Sequence, residues 1–91
     1  MRITVRFSAR ALAGANAGVD LDASAIRYRE ALIAAIEADF VDASVEVMRD
    51  DATTLAIVIE GADERRAFVE RSVTDLVWVV KQCAPWSVAG G

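Results

Sequence analysis

The chain contains no histidine, one cysteine (Cys83) and one proline (Pro85). Without histidine, a serine or cysteine nucleophile lacks its commonest general base, and the usual zinc sets lose their nitrogen ligand. A lone cysteine forms no internal disulfide, so the fold should not depend on an oxidising compartment, and a cytoplasmic setting is expected. No apolar run approaches the roughly 20 residues of a membrane span. The opening Met1-Arg2-Ile3-Thr4-Val5-Arg6-Phe7 alternates in polarity, unlike the continuous apolar stretch of a signal peptide. The glycines are scattered and make no phosphate-cradling loop, and Ser8, Ser24, Ser44, Ser72 and Ser87 lie in no nucleophile-elbow sequence. The expectation is a non-enzymatic chain with no cofactor, no metal and no membrane contact.

What is present suits one small domain. Ninety-one residues with 55% apolar content can build a single modest core. The net charge is −4, but it is unevenly spread. Arg2, Arg6 and Arg10 face no acid before residue 20, residues 20–60 hold ten acids against Arg27, Arg29 and Arg49, and the remainder balances. An acidic centre argues against direct binding to a nucleic-acid backbone, which requires clustered lysine and arginine.

The stretch from Gly61 to Trp86 predicts a long amphipathic helix closed by Pro85. Val69, Val73, Leu76, Val80 and Cys83 form its inward stripe, with Val77 and Ala84 at the edge, so Cys83 reads as a packed thiol. Asp63 and Glu64 suit its positive end and Lys81 its negative end. Upstream, Met1 to Ser8 predicts a strand with Ile3, Val5 and Phe7 on one face. Residues 9 to 23, rich in alanine and glycine, read as a mobile or briefly helical connection. The spacing Asn16-x-Gly18-x-Asp20-x-Asp22 is a faint echo of a calcium loop without its distal glutamate, and the plain reading is a solvated loop whose Asp22 or Ser24 caps the next helix. That helix runs from Ser24 to Phe40 and buries Tyr28, Leu32, Ala35, Ile36 and Phe40.

Two further strands follow, around Val45 to Met48 and from Thr54 to Glu60, separated by the polar loop 49–53. Their closeness predicts an antiparallel hairpin. The order is β-α-β-β-α, an α+β fold with a three-stranded mixed sheet and two helices on one face. A crossover would make strand one parallel to strand three in the first place, or otherwise to strand two. The open face would carry Arg2, Arg6, Glu46, Met48, Val58 and Glu60, with arginine opposite glutamate.

Two surface features are candidates for binding. Glu37, Asp39, Asp42, Glu46, Asp50 and Asp51 should gather along the end of the first long helix and the hairpin. They form either a solvated face or a carboxylate array able to occupy a basic groove meant for nucleic acid. Trp78 projects opposite the apolar stripe, flanked by Arg71, Thr74, Asp75, Lys81 and Gln82. It is either a partner anchor, widened by Phe68 and Val79 and able to support a homodimer, or a ring folded against the 9–23 segment or the tail.

The opening Met1-Arg2-Ile3-x-Val5, Phe40-x-Asp42, Val45-x-Val47, the Gly61-Ala62 step and a final helix holding Trp78 and closing near Trp86 together resemble the DinI family of small damage-inducible regulators. The resemblance implies a domain that acts without catalysis, by presenting the RecA filament with an acidic surface that looks like DNA. The implied partner is a protein that normally binds nucleic acid, either a recombinase of the RecA type or, on size and acidity, a CRISPR-type defence complex of the kind met by small phage-encoded inhibitors.

Overall fold

A computed structural model describes residues 1–14, 18–83 and 86, apart from the side chains of Ala13 and Cys83. The packed thiol expected at Cys83, the Pro85 stop, Asn16 of the calcium-like spacing and the tail beyond Trp86 lie outside the described residues.

The fold is α+β. In chain order it comprises β1 (Arg2–Phe7), α1 (Ala9–Ala13), α2 (Leu21–Asp39), β2 (Ser44–Arg49), β3 (Leu55–Glu60), a 3-10 turn (Asp63–Arg65) and α3 (Arg66–Cys83). The strands form one mixed sheet in the order β2-β1-β3. β1 pairs parallel with β2, setting Thr4 against Glu46, and antiparallel with β3, setting Thr4 against Val58.

This arrangement corrects two expectations. β2 and β3 form no hairpin, and the parallel partner of β1 is β2, the second of the two alternatives for the crossover, while the first, β3, is antiparallel to it. The cause lies in where apolar residues are densest. Ile3, Val5 and Phe7 are all buried, so β1 needs cover on both edges as well as on one face. The loop between β2 and β3 passes over the end of β1 and is tied to it there. Asp50 N–H donates to the Phe7 carbonyl at 2.7 Å, and Ser8 N–H donates to the Thr54 carbonyl at 3.3 Å.

α2 starts earlier than the apolar periodicity suggests. Asp20 is its N-cap, accepting from the Ala23 amide at 3.0 Å, so neither Asp22 nor Ser24 has that role. Ser24 is instead buried. α2 contributes Ala25, Tyr28, Leu32 and Ile36 to the core, and α3 contributes Val69, Val73, Val77 and Val80, all against Ile3, Val5, Phe7, Val47 and Ile59. The stripe on α3 is turned towards Val77, leaving Leu76 half-buried. Arg2, Thr4, Arg6, Glu46, Met48, Ala56, Val58 and Glu60 share the other face of the sheet. There Arg2 pairs with Glu46 at 3.1 Å. No described helix is long and apolar enough to cross a membrane.

The 9–23 segment contains a short helix that periodicity alone does not reveal. Ser8 caps α1 by accepting from the Ala11 amide at 3.2 Å, and Gly14 ends it at φ 60°. Asp51 reaches across from the β2–β3 loop to accept from the Ala9 amide at 2.9 Å.

Candidate functional site

The six carboxylates singled out from the sequence do not form one array. β2 separates them. Asp42 precedes the strand and Asp50 follows it, and six extended residues span roughly 20 Å. Glu37, Asp39 and Asp42 lie exposed at the Met1 end of the sheet. Glu46 lies midway on the open face and is paired with Arg2. Asp50 accepts from the Ala52 amide at 3.1 Å, which shapes its own turn. Asp51 holds α1 and is paired with Arg49 at 2.9 Å. The Arg49 guanidinium, helped by the Ala9 amide, keeps the Asp51 carboxyl below the usual carboxylate range. Arg49 also pairs with Asp22 at 2.5 Å, and these two carboxylates, Asp51 foremost, raise its pKa.

Topology brings other acids to the Met1 end. Glu60 closes β3 beside Arg2, and Asp63 and Glu64 follow in the turn before α3. That end therefore carries Glu37, Asp39, Asp42, Glu60, Asp63 and Glu64, together with Arg2, Arg65 and Arg66. Val41, between Asp39 and Asp42, is 88% exposed. The signal that could have found them is the return of β3, which an antiparallel hairpin with β2 also implies and which places residues 60–64 at the same end as residues 37–42.

Trp78 sits at the opposite end, near the close of α3, and is 58% exposed. It is the rim of an apolar groove of about 200 Å³. Phe7 and Tyr28 form the base, Ala11 and Leu12 of α1 one wall, and Thr54, Leu55 and Val77 the other. Lys81 closes the rim, its ammonium 5.6 Å from the centre of the Trp78 ring, within the range of a cation–π contact. Trp78 thus shares the groove with Ala11 and Leu12 of α1 while more than half of the residue meets solvent.

The base of this groove is made of packed aromatic rings. Phe7 and Tyr28 are tilted at 58° with centroids 4.9 Å apart, and Trp86 meets Tyr28 edge-on at 6.1 Å. Trp86 is held by its indole N–H, which donates to the Lys81 carbonyl at 2.9 Å. Burial pushes the Tyr28 phenol up to about 12. The tryptophan that packs onto the core is therefore Trp86, and the one left available is Trp78.

The remaining candidates fall elsewhere. Arg71 is exposed and lines a shallow surface groove with Ala67, Glu70, Thr74 and Asp75. Phe68 and Val79 are exposed, but they are three turns apart, roughly 16 Å along the axis, and form no single patch. Among the described residues, no group of three or more cysteines, aspartates and glutamates has the spacing to hold a metal ion.

Comparison with family models, curated proteins and solved structures finds no match to this chain.

Proposed function

We infer that this chain is a non-enzymatic protein-binding module whose principal contact is the groove beneath Trp78. One observation carries the reading: a tryptophan that is 58% exposed stands over a concave apolar site whose base is fixed by packed aromatics. Leaving a large ring half in water forgoes burial worth about 1.5–3 kcal/mol. A partner side chain seated between Trp78 and Leu55 recovers that burial. Preorganised pockets with an aromatic anchor are where interface energy concentrates.

A second reading is favoured by the acids at the Met1 end. There the chain would compete with nucleic acid for a basic protein, either a recombinase of the RecA type, as the DinI resemblance implies, or, on size and acidity, a CRISPR-type complex. Glu37, Asp39 and Asp42 support it because they are exposed and carry no ion pair among the described residues. Glu46, Asp50 and Asp51 do not, because each is engaged within the fold.

Capture from a native extract separates the two readings. Wild type, Trp78→Ala and the double reversal Asp39→Lys/Asp42→Lys are used as bait at low and high salt. The groove reading expects a partner held by wild type and by the double reversal, resistant to salt, and lost with Trp78→Ala. Loss with the double reversal and with salt, alongside retention by Trp78→Ala, would replace it with the acidic reading.

A further inference from the structure

The two edges of the sheet differ. On the β2 edge, Arg29 reaches down from α2 and its Nε–H donates to the Val47 carbonyl at 2.7 Å, so the backbone there is partly capped. The β3 edge has no such cover. The hydrogen bond from Ser8 N–H to the Thr54 carbonyl fixes the ladder phase: the even residues of β3 direct their backbone groups to β1, and Leu55, Ile57 and Ile59 direct theirs outward. None of those outward groups meets a partner among the described residues. The strand Leu-Ala-Ile-Val-Ile-Glu also lacks the proline, lysine or inward charge with which exposed edges are usually blunted.

Two chemical features flank this edge at its Leu55 end. On the helix side, Leu55 is itself a wall of the groove under Trp78. On the open face, Ala56 is the β1 partner of Arg6, and Arg6 carries no ion pair among the described residues. A strand added beyond β3 lies two strand spacings from β1, roughly 10 Å. The methyl of Ala56 leaves the intervening surface low, so a carboxylate on the added strand opposite Ala56 comes within reach of the Arg6 guanidinium. Successive side chains of a strand point to opposite faces, so its next residue, opposite Leu55, points into the groove.

We propose that the β3 edge accepts an extended peptide segment as a fourth, antiparallel strand. The segment is read by an acidic residue followed directly by a large aliphatic one, the acid meeting Arg6 and the aliphatic side chain entering the groove under Trp78. The occupant is a strand of a protein partner, held by main-chain hydrogen bonds to Leu55, Ile57 and Ile59 and selected by this pair of side chains. A second folded copy fits less well, because α3 lies over β3 and its symmetry mate would need the same space. The proposal deepens the groove reading by naming the partner's chemistry.

The test is a titration of the ¹⁵N-labelled full chain with the peptide acetyl-Val-Thr-Val-Glu-Leu-amide, followed by amide and indole NMR shifts. The expected result is saturable movement of the Leu55, Ile57 and Ile59 amides together with the Trp78 indole. Replacing glutamate by lysine in the peptide weakens binding about threefold, the scale of one exposed ion pair. Arg6→Glu reverses that preference, and since Arg6 is exposed on the sheet surface the variant keeps its fold. Equal affinity for both peptides in both proteins would overturn the proposal, as would the absence of shifts at the three edge amides. Movement of the Trp78 indole alone would overturn the added strand while leaving the groove as the contact. Edge shifts that follow protein concentration without peptide would assign the edge to a second copy and overturn the proposal as well.

Discussion

Asp51 and Tyr28 show how a single side chain can carry more than its sequence context suggests. Asp51 looks like one of a run of solvated acids, yet it joins the start of α1 to the β2–β3 loop through the Ala9 amide and Arg49. Its folded pKa is lowered from the ordinary 3.8, chiefly by Arg49. The stabilisation it provides is therefore complete above that value and is lost as pH falls through the lower folded value. Melting temperature as a function of pH should show wild type above Asp51→Ala near neutrality, with the gap closing below about pH 4. A gap that stays constant through the acid limb would show that the carboxylate charge is not what holds α1. Tyr28 has the opposite sign. Burial raises its phenol from 10.0 to about 12, so its contribution is complete below 10 and is lost as pH rises towards 12. It is the only tyrosine in the chain, so tyrosinate absorbance should report it alone, rising near pH 12 while the protein stays folded. A midpoint near 10 in folded protein would mean that the ring is not packed between Phe7 and Trp86.

At the scale of elements, the sequence discloses faces better than ends or neighbours. The buried residues of β1, α2 and α3 follow from period two and period 3.6, because burial on one side leaves that trace directly. The start of α2 does not follow, since Asp20, Asp22 and Ser24 are all good capping residues and only the chain's path selects Asp20. α1 is too short to show periodicity, although Ser8 before an alanine-rich run is a fair cap signal in retrospect. The entry to α3 depends on backbone conformation. Gly61 sits at φ 75°, and an added Cβ there would meet the Met1 Cα at 3.5 Å and the Met1 N at 3.8 Å, both ordinary contacts. The cost of Gly61→Ala is therefore conformational, and chemical denaturation should place it at about 1–2 kcal/mol. Asp63, at φ 51°, holds a similar conformation with a side chain, so Asp63→Gly should be neutral or stabilising. In the centre of α2, Leu32 is fully buried, and Leu32→Ala should cost about 2–5 kcal/mol in the same assay.

At the scale of the whole molecule, what could not be read was which distant segments meet. A loop of five residues between two strands suits a hairpin equally well as it suits a passage over the end of a third strand. The choice was made by the need of Ile3, Val5 and Phe7 for a central position. That choice rearranges the surface. It sets β1 between β2 and β3, so residues 60–64 reach the same end of the sheet as Asp39 and Asp42 but on its other side. It also exposes the β3 edge and forms, from α1, β3 and α3, a groove that no contiguous stretch of sequence announces. Trp78 was identifiable as an outward aromatic from helical spacing, whereas the pocket beneath it required Phe7, Tyr28 and Leu55 to converge from three elements.

The most direct test is the affinity of a purified partner, recovered by capture, for wild type and for Trp78→Ala, measured by titration calorimetry after circular dichroism has shown the variant to be folded. If the groove is the principal contact, loss of the ring weakens binding about thirtyfold or more, as for an interface hot spot, with little dependence on salt. An unchanged dissociation constant for folded Trp78→Ala, with binding abolished by Asp39→Lys/Asp42→Lys, would contradict it.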